Sequence, residues 1–434
     1  MKRWLSLCLA AFCLSGCLSG CRDPESNSST DGSGKAKLLV VTQFGGDDSN
    51  AELFSQKVAA WCEQTGNEIV NHSAKADNTW KTKVITDFHT GSEPDVLFFF
   101  NGSTAEPIWD QVVDVETIQA VAPEYGKNIR HSVLYAVNNV NGEGKPVSLP
   151  IKGYGEALYC NTRVFEEAGA ALPTDWASLL TAIEKIQAAG KIPMAVSLAG
   201  EPHYFFDHLI LSVGGEKAMA VNPKSMDEVP DSWVRGLSLL HELYAAGAFS
   251  KDALSIPADS ARTYFLSGDA GMYLDGSWFS VPSDGTEGAP VTEKDVQLVP
   301  FPSYTESENQ PGTLLSGFSS GWYISKKCWE DEAKRQAAID FVLYNTSDEA
   351  IGEYVLTGGG FPASDTAAVD ETKLSGIGRQ YASLLAAAPA TPTVAQDNLQ
   401  KAAFEIYLKN AALLAKGEIS SSELLEMLVK ENAK

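Results

Sequence analysis

Residues 268–279, Gly-Asp-Ala-Gly-Met-Tyr-Leu-Asp-Gly-Ser-Trp-Phe, form the stretch best suited to grip a small molecule. Their apolar run, 270–274, reads as a buried strand that breaks at Asp275-Gly276. An indole just beyond such a break, in a Gly-rich turn, can present its face to a cleft. Trp278 is therefore a candidate stacking surface, and the ordinary alternative is a ring that plugs a core. Covalent chemistry finds less support. Gly317-Phe318-Ser319-Ser320-Gly321 fits the G-x-S-x-G nucleophile pattern, but that pattern needs a following helix and a later histidine. The last histidine is His241, and Trp322-Tyr323-Ile324 reads as strand, so these glycines are expected to act as a hinge. His203 and His208 lack H-E-x-x-H spacing, and Gly358-Gly359-Gly360 lacks the Lys-Ser/Thr of a phosphate-binding loop. A glycosidase needs two carboxylates at a set separation, and the 56 acidic residues leave such a pair open. No catalytic residue, cofactor or metal is expected.

Holding such a ring in place takes a scaffold, and the chain supplies alternating strands and helices. Residues 38–41 read as a buried parallel strand that ends in Gln43-Phe44-Gly45-Gly46-Asp47-Asp48. A helix is predicted after the capping box Ser49/Glu52, with Phe54, Val58, Trp61 and Cys62 on one face and Gly66 as its stop. Residues 69–73 suit a strand, 79–90 a helix and 96–100 another buried strand. This order is a doubly wound α/β pattern, in which ligands gather at the carboxyl ends of the strands. Those ends are 44–48, 76–80 and 99–103. Farther on, Thr174 is the expected N-cap of a helix with Trp176, Leu179, Leu180 and Ile183 on one face. A strand is expected at 194–198, and helices at 234–246, 337–344, 348–356 and after the capping box Ser420/Glu423.

A chain of 434 residues suits two domains rather than one core. Its net charge of −23 is a poor match to nucleic acid or to anionic membrane surfaces. At the N-terminus, Lys2 and Arg3 precede an apolar stretch, 4–14, too short to span a bilayer. Leu-Ser-Gly-Cys then occurs twice, ending at Cys17 and at Cys21. This resembles a bacterial lipobox, whose cysteine carries the lipid and becomes the first mature residue. Cys21 is the preferred site, because polar sequence starts directly after it, and Cys17 is the alternative. Residues 22–36 are Ser-, Gly- and Asp-rich and are expected to form a flexible tether. Beyond the leader only Cys62, Cys160 and Cys328 remain, which make no disulfide framework and no zinc site.

The segment 270–278, a small-residue strand followed by Gly, one residue and Trp, resembles that of extracellular solute-binding proteins that serve sugar ABC importers. So do residues 150–176, with Tyr159-Cys160-Asn161, the acidic Phe165-Glu166-Glu167-Ala168-Gly169 and Pro173-Thr174-Asp175-Trp176. Glu201-Pro202-His203-Tyr204 is similar to a Glu-Pro-aromatic turn of the maltose-type members, and the loop 358–364 is frequent in the family. The resemblance runs from about Leu38 to Lys430. It implies a two-lobed periplasmic-binding-protein-like α/β fold of type II, with a ligand cleft between two doubly wound lobes. The expected division is 1–21 signal peptide, 22–36 tether, 37–153 with 273–317 as lobe 1, and 154–272 with 318–434 as lobe 2. The three crossings would lie near Gly153, Leu274 and Ser316.

The same resemblance implies the ligand contacts. Asp47, Phe99 and Asn101 would stand at strand ends of the first lobe, and either Tyr154 or Glu156 on a crossing strand. Glu201 and Tyr204 would contact the sugar from their turn, Trp278 would stack on it, and Trp80 and Trp322 are weaker aromatic candidates. Glu405 replaces an aromatic contact of the maltose-type pattern. The implied partners are a mono- or oligosaccharide, the permease subunits of an ABC importer and the membrane through the lipid anchor, with the protein itself a monomer. A receptor for a peptide or polyamine, and more remotely a lipoprotein glycosidase, are the competing functions. Changing Cys21 to Ser should stop processing and leave an unacylated precursor, detectable as loss of labelled fatty acid and a mass shift; the same result from Cys17→Ser alone would move the anchor to Cys17.

Overall fold

The computed structural model describes residues 35–434 other than 47 and 306. The leader, both lipobox cysteines, most of the tether and the candidate Asp47 lie outside the described residues. In chain order the strands are β1 (Lys37–Thr42), β2 (Glu68–Asn71), β3 (Val96–Phe100), β4 (Leu149–Pro150), β5 (Lys152–Asn161) and β6 (Ile192–Ala195). Then follow β7 (Ala270–Gly276), β8 (Val296–Val299), β9 (Ser316–Gly317), β10 (Ser320–Ile324) and β11 (Phe361–Pro362).

These strands form two sheets. The first has the order β2-β1-β3-β10-β4, with β1 parallel to β2 and β3, and β10 antiparallel to β3 and β4. The second has the order β11-β5-β7-β6, with β8 and β9 also paired to β5. The first half of the chain is doubly wound as its periodicity predicts. Helix Ala51–Thr65 follows β1, buries Phe54 and Trp61, and stops at Gly66 in the left-handed region (φ 71°). Its N-cap is Asn50 rather than Ser49. Helix Asn78–His89 follows β2 and is capped by the Asp77 side chain on Trp80 N–H at 2.8 Å. Asp175, not Thr174, caps helix Trp176–Ala188, in a capping box with Ser178. The capping box Ser420/Glu423 forms as its sequence requires.

The apolar residues sort into cores that belong to one sheet or the other. Leu38, Val40, Phe98, Trp322, Phe341, Ile351 and Tyr354 pack together around the first sheet. Leu158, Ile183, Phe206, Trp233, Met272, Leu240 and Leu428 pack around the second. The lobe limits expected from the sequence need correction on this basis. β7 does not cross between lobes: it lies inside the second sheet, antiparallel to β5 and parallel to β6, with all seven residues buried. β10, expected in lobe 2, is an inner strand of the first sheet. Residues 273–316 thus belong with 152–272, and residues 320–367 with 36–151. The misplacement arose because a short apolar strand ending in Gly looks the same whether it ends at a hinge or inside a sheet.

Among the described residues three passages connect the lobes. One is the β4–β5 junction at Ile151, and one is the β9–β10 junction at Gly317–Ser320, the segment read as a hinge from its glycines. The third joins Ala367, in the first core, to Ile377, packed with the second. Beside them the loop Gly358-Gly359-Gly360 is pressed on β5. Gly360 has φ 89°, and a Cβ there would collide with the Gly153 carbonyl oxygen. Gly360→Ala should therefore destabilise the protein by about 1–3 kcal/mol, the usual cost of a strained backbone conformation. A thermal melt unchanged from wild type would show that this loop is not packed against β5.

Candidate ligand-binding site

The site grows from β5. Side chains alternate along a strand, so Tyr154 and Glu156 share one face. The turn after β7 is bound to the same strand by Ser277 N–H on the Gly155 carbonyl at 2.9 Å. That bond fixes Trp278, whose six-membered ring covers Gly276 so closely that a Cβ at Gly276 would strike it. The Trp278 and Tyr154 ring centroids are 5.5 Å apart. Trp278 is 40% exposed, against 6% for Trp80 and 0% for Trp322. A large ring left half in water, backed by glycine and flanked by tyrosine, is a ready stacking platform for an apolar C–H face.

Two groups of carboxylates surround it. In the first, Asp275 is buried, accepts from Tyr204 OH at 2.7 Å and from Gly276 N–H at 2.7 Å, and faces Arg262 at 3.5 Å. Arg262 also lies 3.9 Å from Glu201, and Tyr273 OH reaches Glu201 at 3.5 Å. Burial pushes Glu201 up to about 7, Asp275 adds to the shift, and Arg262 opposes it. In the second group, Glu156 is 5% exposed and its Oε2 lies 3.6 Å from His208 Nδ1. Asp207 accepts from Gln396 N–H at 3.1 Å, and Asp397 accepts from Asn138 at 3.1 Å. Burial pushes Glu156 well above the usual carboxylate range, and Asp207, Asp275 and Asp397 push it further. Burial also holds Asp397 up at about 6 and His208 down at about 4.

The Asn138–Asp397 bond runs from one lobe to the other, as does the ion pair of Lys75 with Asp259 at 3.6 Å. Asn138 also donates to the Phe318 carbonyl in the β9–β10 hinge. Asn101, at the end of β3, accepts from Ser148 and Tyr323, and its Nδ2 is buried with no acceptor among the described residues. The arrangement is an interlobe cleft with rings and acceptors on the second lobe and amides on the first. Among the described residues no group of His, Cys, Asp and Glu is arranged to hold a metal.

Residues 47–351 match the model of the bacterial extracellular solute-binding protein family. The chain belongs to that family. A search of curated proteins finds no match. Among solved structures the chain is similar to one from work on xylan utilization by Caldanaerobius polysaccharolyticus, with a TM-score of 0.78, 18% identity and coverage of 91% of this chain and 99% of that one. It is similar to a chitin oligosaccharide binding protein (TM-score 0.77, 18% identity, coverage 92% and 100%). It also resembles maltose-bound MalE3 of T. maritima (TM-score 0.70, 17% identity, coverage 91% and 98%). These likenesses establish the fold: a type II, two-lobed periplasmic-binding-protein architecture with a cleft between the lobes.

Within this solute-binding fold the expected contacts separate into two sets. Tyr154 lies beside Trp278 and shares a strand face with Glu156; Glu201 and Tyr204 meet through Arg262 and Asp275, and Asn101 stands at the end of β3 in the first lobe. Tyr154 and Glu156, weighed as alternatives, stand together on one face of β5. Glu201 and Tyr204 do not sit in a simple turn, because helix His203–Met219 starts between them. Phe99, Trp80 and Trp322 are core residues. Phe99 and Trp322 are fully buried, and Trp80 packs on Phe99 at 5.3 Å. Glu405 is occupied in a surface ion pair with Lys409. Asp207, Arg262, Asn138 and Asp397 went unnoticed in the sequence, and Asp275 was read only as the end of a strand. Asp207 could have been found, since it lies three residues after Tyr204 on one helix. Nothing local marks Asn138 or Asp397, which meet across 259 residues.

Asp397 gives a pH test. Its folded value of about 6 lies above its ordinary 3.8, so the folded state binds the proton more tightly. The resulting stability is present below about pH 4 and is lost as pH rises to about 6. Asp397→Asn cannot titrate. Its melting temperature relative to wild type should rise between pH 4 and 6 and level off above. A difference that stays flat across that window would mean that Asp397 is solvated and not part of a closed cleft.

Proposed function

We propose that this protein is the substrate-binding lipoprotein of an ABC importer and captures an extracellular sugar or oligosaccharide. In this account it is not an enzyme. It is held by the lipid on Cys21, and it presents its closed form to the permease. The exposed Trp278 ring beside Tyr154 carries the proposal. Rings of this kind stack on the apolar faces of sugars, while buried carboxylates and amides take the hydroxyl protons. Closure removes both from water, so each hydrogen bond forms without solvent competition. The ligand favours the closed population, because only there does it touch both walls. The sugar ligands named for the similar structures support the same choice. No helix among the described residues is long and apolar enough to cross a membrane, in keeping with attachment by a lipid.

Calorimetric titration against a panel of mono- and oligosaccharides, with product analysis, tests this function. Binding without turnover is expected, together with compaction in solution scattering. Turnover, or binding only of peptides or polyamines, would refute it. Trp278→Ala should weaken binding about tenfold to a hundredfold, as for other aromatic stacking worth about 1–3 kcal/mol, and barely change the ligand-free melt. Trp322→Ala should do the reverse, costing about 3–5 kcal/mol of stability as a core truncation.

A further inference from the structure

Glu156, Asp207 and Asp397 form an inner wall of the cleft with no cation to balance them. No Lys or Arg pairs with any of the three among the described residues, and every side-chain charge acting on Glu156 is a carboxylate. The charge of Lys81 acts on Glu201 and His203, and its ammonium lies over the Phe100 ring at 4.2 Å. Arg262 faces Asp275 and Glu201, and Lys152 donates to the Gly358 carbonyl at 2.5 Å. Asp207 is relieved only by the backbone N–H groups of Gln396 and Ala395, and Asp397 only by the Asn138 amide. His208 is the one base in contact. Its Nδ1 lies 2.9 Å from the Tyr204 carbonyl, which can only accept, so Nδ1 carries a proton, and burial holds the ring down at about 4, which leaves the imidazole neutral near pH 7.

A second observation concerns unmet acceptors. Glu156 Oε2 is buried and receives no hydrogen bond among the described residues. His208 is 1% exposed, and its Nε2, left as a lone pair by the proton on Nδ1, also has no partner. Gln396 Oε1, next to Asp397 in sequence, is a third such acceptor. Uncompensated buried carboxylates and unpaired acceptors both call for donors that bring positive charge. A sugar hydroxyl supplies one donor and no charge, whereas an ammonium supplies three donors and the charge. The absence of any metal-holding arrangement among the described residues leaves an organic cation as the fitting group.

We propose that the inner wall of Glu156, Asp207 and Asp397 receives a protonated amine of the ligand, so that the substrate class is an amino sugar, an inference that rests on the sugar-binding function above. The Trp278–Tyr154 platform stacks on the ring, and the amine points to Glu156. Asn138, which spans the lobes to Asp397, would close the wall around it.

The test uses the mature full chain and three matched series: glucose, galactose and cellobiose, their 2-amino counterparts, and their N-acetylated counterparts. Acetylation removes the charge and keeps the nitrogen. The amine-bearing member of at least one series should bind about tenfold or more tightly than its neutral and acetylated partners, as a charge-assisted hydrogen bond provides. Glu156→Gln and Asp397→Asn should each cut that preference at least threefold, by an order-of-magnitude expectation for losing one of three charges. The preference is read in each variant as the ratio of amine to neutral-sugar affinity, so a general loss of binding does not enter it. Asp397→Asn is the safer variant, since Asp397 is less enclosed than Glu156, and the wild-type comparison needs no variant at all. Neutral sugars binding as tightly as amines would overturn the amino-sugar assignment and leave the sugar-binding function standing. Failure of every sugar to bind would overturn both.

Discussion

The backbone ladder along β5 fixes the hinge and the second-lobe wall together, because one ten-residue strand supplies both. Its start pairs with β11 through Gly153 and Phe361 and with β9 through Tyr154 and Gly317. Its second half pairs with β7 and β8 deep in the second sheet. On one face Tyr154 and Glu156 look into the cleft. On the other, Phe361 presses on Gly153 and Tyr381 on Gly155, where a side chain would find no room at the first and little at the second. A slip of one residue would exchange the two faces and bury the site, so the register is held wherever rings meet glycine. The Trp278 turn is bound to this strand as well, which makes the platform rigid relative to Glu156.

The two carboxylate groups beside that strand differ in their electrostatics. Asp275 and Glu201 share Arg262 and accept from Tyr204 and Tyr273, so part of their desolvation is offset within the lobe. That network supports the base of Tyr204 and of the Trp278 turn. Asp207 has a backbone N–H and Asp397 an amide, while Glu156 Oε2 has no hydrogen-bond partner among the described residues. A buried charge without a partner costs several kcal/mol or takes up a proton. The first group is thus suited to hold the wall in shape and the second to meet something that arrives from outside.

Much of the fold was legible because strand and helix periods are local. The runs 38–41 and 96–100 lie in β1 and β3, and helix Ala51–Thr65 stops at the Gly66 that its sequence offers. Caps were read one residue off at Ser49 and Thr174, since several polar residues in a row can each act as N-cap and packing selects among them. The site was legible in part. Trp278 announced itself as a large ring in a Gly-rich turn, and Glu201 with Tyr204 through a resemblance. Phe99, Trp80 and Trp322 carry the same residue types at similar strand and helix ends, yet they point into the first core. Which face of a buried strand meets a cleft depends on what lies on both sides of the sheet, and sequence holds no local record of that.

The sequence by itself determined most of the elements, the doubly wound α/β class and the family, because each follows from residue patterns within some tens of positions. Tertiary structure alone decided which strands belong to which lobe. β7 and β10 are both short and apolar, and only their hydrogen-bonded neighbours tell them apart. It also decided which carboxylates meet. Asn138 and Asp397 come together across the cleft from opposite lobes, and Glu156 gains Asp207 and His208 from a helix some fifty residues on. Charge interactions depend on distance in space and on exclusion of water, and both arise only once the chain has folded.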